Sequence, residues 1–156
     1  MHTLRRTLRL AVVATLIAFT GNLARGAGVI DAASSAFTRL PYSLPSRIGE
    51  SGGKTSPEEL LAAAHGACIT MSMAGVLTSA GTPPGRLDTI CTIVMDEVEG
   101  QGHQIVGSRV EIVARVDGLD DAALQAVRAQ ADEECPFSAL LKRAGADVAV
   151  SARLAE

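Results

Sequence analysis

The segment Ser56–Leu77 constrains the fold more than any other part of the sequence, because it predicts a long helix with apolar or small residues on every side. Ser56 is suited to the N-cap, Pro57 to the first helical position, and Glu59 completes a capping box with the serine. The glycine and prolines at 81–84 end the pattern. Such a helix is expected to be buried on all sides, and its small residues allow another backbone to approach closely.

Length and composition favour one globular domain. The chain has 156 residues, of which 47% are hydrophobic and 20% are charged, so a core of its own is expected. A net charge of -3, an aromatic content of 3% and the absence of a basic cluster after residue 9 argue against nucleic-acid binding. Three cysteines are too few for a disulfide scaffold, and their odd number fits an intracellular thiol protein.

The N-terminal segment has two interpretations. Arg5, Arg6 and Arg9 precede the apolar run Leu10–Phe19, and small residues follow around Gly26, which is typical of a signal peptide with a twin-arginine character. The run is too short to span a bilayer as a helix. It fits equally well as a buried first strand, and the pattern alone leaves both interpretations open.

The rest of the chain alternates strand and helix signals. Predicted strands are Val29–Ile30, Phe37–Leu44, Leu87–Glu99, Gln104–Asp117 and Asp147–Leu154, and the further predicted helices are Asp120–Cys135 and Pro136–Ala144. Pro41 indicates that its strand lies at a sheet edge. Residues 46–55 form a polar, glycine-rich loop, and Gly100-Gln101-Gly102 is a hairpin-length connection.

The cysteines differ in their predicted surroundings. Cys135 directly precedes the first turn of a helix that begins at Pro136, and a helix N-terminus favours the thiolate. Cys68 is predicted to have no such help, because it lies in the middle of the apolar helix, where burial raises the pKa of a thiol. A reactive Cys68 therefore needs a fixed cation, and Arg47 in the preceding loop is a candidate. Cys91 lies in an apolar strand and is interpreted as a core residue.

Each candidate residue also has a purely structural interpretation. Arg47 would serve as a solvated loop residue, and Glu58 would favour only the N-terminus of the long helix. His65, one turn before Cys68, fits a hydrogen-bonded core histidine better than a base. The residue types of His65, Cys68 and Cys135 would suit zinc, but the sequence lacks a C-x-x-C pair, so no metal site is expected.

Two segments carry a family resemblance. Ser56–Met73, SPEELLAAAHGACITMSM, and Cys135–Ser138, CPFS, resemble the OsmC branch of the OsmC/Ohr peroxidases in their residues and their separation, and the similarity extends over residues 18–154. The resemblance implies an α/β (α+β) fold: an OsmC-like intertwined homodimer with a long buried central helix, antiparallel sheets and a second helix that carries the resolving cysteine. It implies an OsmC-like domain over residues 13–156, after an N-terminal extension at residues 1–12.

The same resemblance implies a thiol-dependent peroxidase that reduces organic hydroperoxides, and hydrogen peroxide more weakly, in oxidative or osmotic stress defence. By position, Cys68 matches the peroxidatic cysteine and Cys135 the resolving one. Arg47 matches the arginine that activates the thiolate, and Glu58 matches the glutamate that holds this arginine. No bound cofactor is implied, and the reductant is an external dithiol or a lipoylated protein. The alternatives are a weakly catalytic OsmC-like binding or stress-associated structural protein, and a secreted protein with a static Cys68–Cys135 disulfide.

The resemblance also bears on the N-terminus, because it places residues 15–28 in the first strand of the fold. Cleavage near Gly26 would delete that strand, so a cytoplasmic location is expected and export is the minority interpretation. Neither a nucleic acid nor a membrane is expected as a partner. Ile69-Thr70 and Phe19 stand where relatives commonly have Phe-Ser and tryptophan, departures that bear on substrate preference rather than on the reaction.

Overall fold

The computed structural model describes residues 14–156, which fall into one unit up to Ser56 and a second unit from Pro57 to Glu156. The predicted extension at residues 1–12, with its arginines, lies outside the described residues. Each unit contains one three-stranded sheet.

The first unit is an antiparallel sheet in the order β1-β2-β3, formed by Thr15–Thr20, Ala27–Ala32 and Leu40–Tyr42. The strand predicted from Leu10 is present from Thr15, and its first residues lie outside the described part of the chain. All six residues of β1 are exposed, so the expectation of a buried strand is wrong for the single chain. The first strand also ends at Thr20 and not near residue 28, because residues 27 and 28 already belong to β2. β3 lies at the edge of the sheet, as Pro41 indicated, because proline has no N–H to donate to a further strand.

A short helix, α1 at Leu44–Ile48, follows β3 directly. The predicted strand Phe37–Leu44 is therefore too long, because the Ser43 side chain accepts a hydrogen bond from the Ser46 backbone N–H and begins a helix there. The Ser46 side chain in turn accepts from the Ser43 N–H. Arg47 accordingly lies in the last turn of a helix and not in a loop.

The second unit contains three helices and three strands. In chain order these are α2 (Pro57–Ser79), β4 (Arg86–Val98), β5 (Gly102–Arg115), α3 (Asp121–Glu134), α4 (Pro136–Arg143) and β6 (Asp147–Leu154). β4 and β5 form the predicted antiparallel hairpin, but β6 pairs with β5 in parallel. The expectation of antiparallel sheets is wrong for this pair, because α3 and α4 form the crossover that a parallel connection requires.

The core of this unit lies between α2, α3 and the inward face of the β4-β5-β6 sheet. Its fully buried large side chains are Ile69, Met73, Leu77, Val110, Ile112 and Leu124. Gly66 allows α2 to approach the sheet closely, since a Cβ at this position would lie 3.1 Å from the Cβ of Cys91. The long helix is therefore held against the sheet at the level where its cysteine and histidine lie.

Only one side of α2 is buried within this chain. The exposed residues recur every four positions and form what we call the small-residue stripe: Glu59, Ala63, Ala67, Met71 and Gly75. The prediction of a helix buried on all sides is wrong for the single chain, in which Met71 is 68% exposed. Within residues 14–156, α2 is the one helix long and apolar enough to cross a membrane, and it packs here against β4, α3 and α4.

Candidate active site

Two cysteines that are distant in the sequence meet where α2 and α4 pack together. Cys68 is half-buried in the middle of α2, and Cys135 is fully buried at the junction that ends α3 and begins α4. Pro136 creates this junction, because proline ends one helix and is favoured in the first turn of the next. The Cys135 thiol is near enough to affect the ionisation of Cys68, and both cysteines are free. The structure therefore brings together the two cysteines that the sequence singled out.

The environment of Cys68 combines opposing influences on its thiol. Burial raises the pKa of Cys68, the contact with the Cys135 thiol raises it further, and the backbone N–H of Phe137 lowers it. Phe137 is the second residue of α4, so its N–H is one of the donors that a helix N-terminus leaves without an intrahelical partner. The expectation that burial raises the pKa of Cys68 is confirmed.

The helix N-terminus serves a different thiol from the one predicted. Cys135 makes no side-chain capping bond at the start of α4, whereas the N–H of Phe137 reaches Cys68. The sequence interpretation, in which Cys68 has no help from a helix N-terminus, is therefore wrong. The CPFS segment marks the start of the helix but does not reveal which side chain from another helix its N–H groups face.

Cys91 lies on β4 in a different setting. Its sulfur is 3.7 Å from the hydroxyl oxygen of Ser108. Burial raises the pKa of Cys91, while the Ser108 hydroxyl and the Gly66 backbone N–H lower it. The predicted interpretation of Cys91 as a packing residue agrees with its contact with the core, although the side chain is only half-buried.

His65 links three elements through what we call the serine relay. Its Nδ1 lies 2.8 Å from Ser108 Oγ on β5, and its Nε2 lies 2.9 Å from Ser138 Oγ on α4. All three side chains are fully buried. The prediction of a hydrogen-bonded core histidine is confirmed, but neither serine was foreseen. The available signals were a polar residue in the inward-facing row of β5 and the serine of CPFS.

The charge state of His65 follows from its burial. Burial lowers the pKa of His65, Asp132 raises it and Lys142 lowers it. The last two form an ion pair with an N–O distance of 2.7 Å. Because each ring nitrogen is bonded to a serine, neither is directed at the two cysteines that completed the zinc alternative. Residues 14–156 also contain no group of three or more His, Cys, Asp or Glu side chains able to hold a metal ion.

The two remaining predicted site residues lie in different units. Arg47 is in the last turn of α1, and Glu58 is in the first turn of α2, where a carboxylate is favourable. Their association with each other and with Cys68 stays a prediction.

A groove lies beside the small-residue stripe, between α2 and β4. Its volume is about 570 Å³, and its lining residues are Glu59, Ala62, Ala63, Gly66, Ala67, Thr70, Met71, Thr89 and Cys91. Thr70 donates to the Gly66 carbonyl and shares a hydrogen bond with Thr89, both at 2.7 Å. These bonds satisfy the threonine hydroxyls and leave a largely apolar groove.

Comparison with known sequences gives consistent relatives. The family model for OsmC-like protein matches residues 49–151. Peroxiredoxin OsmC of Escherichia coli is 33% identical over 123 residues, which is 78% of this chain and 84% of that protein. An organic hydroperoxide resistance protein of Xanthomonas axonopodis pv. citri is 34% identical over 98 residues, which is 62% of this chain and 66% of that protein.

Solved structures share the fold. The organic hydroperoxide resistance protein OsmC of Legionella pneumophila matches with a TM-score of 0.69 and 24% identity, over 92% of this chain and 98% of that one. An OsmC-like protein of Mycoplasma pneumoniae matches with a TM-score of 0.75 and 9% identity, over 94% of this chain and 99% of that one. The mixed α+β fold with its central helix and two three-stranded sheets is thus common to them. The chain belongs to the OsmC-like protein family.

Proposed function

We propose that this protein is a cysteine-based peroxidase that reduces organic hydroperoxides, with Cys68 as the peroxidatic and Cys135 as the resolving cysteine. The observation that carries the proposal is that the Cys135 thiol and the Phe137 N–H both act on the Cys68 thiol where α2 and α4 pack together. The names of the relatives, a peroxiredoxin and an organic hydroperoxide resistance protein, support the same chemistry.

The first step oxidises Cys68. Its thiolate sulfur attacks the terminal, hydrogen-bearing oxygen of the hydroperoxide, an S–O bond forms, and the O–O bond breaks. Cys68 becomes a sulfenic acid, and the alkoxide that leaves takes a proton to become an alcohol. The sulfur loses two electrons to the peroxide. The Phe137 N–H, at the positive end of α4, stabilises the thiolate before the attack.

The second step resolves the sulfenic acid. The sulfur of Cys135 attacks the sulfur of Cys68, the S–S bond forms, and the S–O bond breaks. The hydroxyl group leaves as water with the proton from Cys135. Contact between the two residues before the reaction makes this step effectively unimolecular, so it precedes further oxidation of Cys68. An external dithiol, free or on a lipoylated protein, then reduces the disulfide by thiol exchange and completes the cycle without a bound cofactor.

Arg47 and Glu58 are proposed to complete the site. Burial raises the pKa of Cys68, so a reactive thiolate requires a positive charge beyond the single N–H of Phe137. Arginine supplies a permanent charge and a planar set of donors, and a carboxylate such as Glu58 can hold it in a fixed orientation. We therefore assign charge stabilisation to Arg47 and its orientation to Glu58.

We also propose that two copies of the chain associate through the small-residue stripe and the adjoining groove, as an intertwined homodimer. Exposed Ala, Gly and Met on an apolar helix support this, because they permit close packing of two helices. Glu58 and Cys68 are separated by about 15 Å along the axis of α2, so a site that uses both is easier to complete with two chains.

Sedimentation tests the proposed dimer. Ala67→Arg in the stripe should convert a dimer to an inactive monomer, whereas Ala126→Arg on an exposed position of α3 should leave a dimer. A fully active monomer of the unmodified chain would contradict the proposal.

A cytoplasmic location remains our proposal for this chain. Six residues of β1 pair with β2, so cleavage near Gly26 would remove a complete strand from the first sheet. N-terminal sequencing of the natural protein should therefore find β1 intact. A mature chain that begins near Ala27 would favour export.

The decisive assay for the activity is the thiol-dependent consumption of cumene hydroperoxide by the purified protein, with dithiothreitol as reductant. We expect turnover that is faster with cumene hydroperoxide than with hydrogen peroxide. Consumption no faster than that of the Cys68→Ser variant would instead favour the binding or structural alternative, or a static disulfide.

A further inference from the structure

Two pairs of side chains, which lie side by side, connect α2 with the start of α4. On α2, His65 and Cys68 are three residues apart, and on the facing segment so are Ser138 and Cys135. Positions three apart on a helix share a face. His65 bonds to Ser138 at 2.9 Å, and Cys68 contacts Cys135. The two cysteines are thus accompanied, one turn away, by a hydrogen-bonded pair that contains no thiol.

The position of the start of α4 depends on the His65–Ser138 hydrogen bond. Cys135 occupies the N-cap position but makes no side-chain capping bond. α4 has only eight residues, and its buried side chains are Ser138 and Leu141. A hydrogen bond between buried groups is directional and costly to leave unmade, so the His65–Ser138 bond fixes the start of α4 against α2 more strictly than an apolar contact would.

The relay forms without placing a charge in the core. A neutral imidazole has one N–H and one lone pair, so it donates to one serine and accepts from the other. Burial lowers the pKa of His65 and so favours this neutral form, and of the two charged groups that act on the ring, Asp132 on α3 opposes the effect while Lys142 on α4 adds to it. The bond to Ser108 on β5 satisfies the second ring nitrogen.

We propose that His65 and Ser138 are positioning residues of the redox site, which hold the N-terminus of α4 so that the Phe137 N–H reaches Cys68 and Cys135 stays against the Cys68 sulfur. The expected effect on disulfide formation rests on the proposed peroxidase function. The expected effect on the alkylation of Cys68 concerns the thiols alone.

Ser108 provides a matched control at the other end of the same relay. Ser108→Ala and Ser138→Ala each remove one fully buried hydroxyl from one nitrogen of His65. Only Ser138 belongs to the helix that faces Cys68. A merely structural role predicts the same consequences for both variants, while a positioning role predicts that only Ser138→Ala alters the thiols.

The test compares Ser138→Ala, Ser138→Thr and Ser108→Ala in the full chain, after denaturant unfolding has measured their stability. The first readout is the pH dependence of iodoacetamide alkylation at Cys68, followed by peptide mass spectrometry. The second is the single-turnover rate of Cys68–Cys135 disulfide formation after one equivalent of cumene hydroperoxide. We expect Ser138→Ala to move the alkylation midpoint upward by about one pH unit and to slow disulfide formation about tenfold.

Two control variants separate a positioning role from a general loss of stability. Ser108→Ala should lose similar stability but keep both thiol readouts within about twofold of the unmodified protein, and Ser138→Thr should restore both because it keeps the hydroxyl. Unchanged thiol readouts in Ser138→Ala, or equal changes in both alanine variants, would overturn the proposal. If Ser138→Ala does not fold, a folded Ser138→Thr with altered readouts would overturn it and one with unmodified values would support it.

The two proposals fail in different ways. Alkylation requires no peroxide, so an upward shift in Ser138→Ala together with an unmodified protein that consumes no peroxide would refute the peroxidase function and retain the positioning. An active unmodified protein with unshifted Ser138→Ala would refute the positioning alone.

Discussion

The sites around Cys68 and Cys91 resemble each other closely, yet only one is suited to redox chemistry. Both thiols are free and half-buried, burial raises the pKa of both, and one backbone N–H lowers the pKa of each. They differ in the third partner: Cys68 meets the thiol of Cys135, whereas Cys91 meets the hydroxyl of Ser108. A hydroxyl cannot form a disulfide, so the neighbouring side chain, more than the acidity of the thiol itself, separates a reactive site from a packing site.

The two backbone donors also differ. Phe137 is in the first turn of α4, where an N–H has no intrahelical acceptor. Gly66 lies in the interior of α2, where its N–H is already committed to the carbonyl four residues earlier. Cys68 therefore receives an uncommitted donor, and Cys91 shares one.

The largest expected effect is that of Cys68→Ser. Serine has a similar shape but supplies no thiolate at neutral pH, so cumene hydroperoxide consumption should fall by at least about a thousandfold. Steady-state assays with dithiothreitol measure the loss. A Cys68→Ser variant with substantial turnover would show that the thiol in contact with Cys135 is not the peroxidatic one.

Cys135→Ser should separate oxidation from resolution. Cys68 should still react once, giving a sulfenic acid that dimedone traps and that mass spectrometry locates, because Cys68 retains its thiol and the Phe137 N–H. Turnover should then stop, or continue slowly with small thiols, and excess peroxide should overoxidise Cys68. If instead Cys135→Ser forms no sulfenic acid while Cys68→Ser does, the two roles are reversed.

His65 bonds to Ser108, which lies next to Cys91, and to Ser138 on the helix that faces Cys68. Protonation of His65 should appear in the pH dependence of the free energy of unfolding. Burial lowers its pKa from the ordinary value of 6.5, so on acidification the unfolded chain takes up a proton before the folded one does. The contribution of neutral His65 to the free energy of unfolding is fully present above about pH 6.5 and is lost as the pH falls through the lowered pKa.

His65→Gln tests this linkage. The variant should be less stable at neutral pH, because it loses the two-sided serine bonding, but its free energy of unfolding should decline less steeply between about pH 6.5 and 5. Denaturant unfolding at several pH values measures both slopes. Equal slopes for the two proteins would exclude His65 as the group responsible.

Cys91→Ser should have the smallest effect. Its hydroxyl can replace the thiol next to Ser108, so the rate of peroxide consumption should stay near that of the unmodified protein, with a stability loss of at most roughly 1 kcal/mol. The same peroxide assay and denaturant unfolding check both values. An inactive but folded Cys91→Ser would transfer the catalytic role to the β4 thiol.

Local signals in the sequence predicted much of the second unit. The helix start at Pro57 and the strand Asp147–Leu154 appear as predicted, since proline positions and alternating apolar residues act over short distances. The selection of Cys68 and Cys135 came from the family resemblance and agrees with the contact between them.

Features that depend on distant parts of the chain were not predictable in this way. The parallel pairing of β6 results from the α3–α4 crossover, and the serine relay joins His65 to residues 43 and 73 positions away. The side of α2 that stays exposed depends on which elements the chain provides to cover it, and a pattern of small apolar residues does not contain that information.

We expect peroxide to link Cys68 to Cys135 and to spare Cys91. The most direct test treats the reduced protein with one equivalent of cumene hydroperoxide, alkylates the remaining thiols, and maps disulfides by peptide mass spectrometry. We expect a single Cys68–Cys135 disulfide with Cys91 alkylated. A disulfide that includes Cys91, or three alkylated cysteines after the peroxide has been offered, would contradict it.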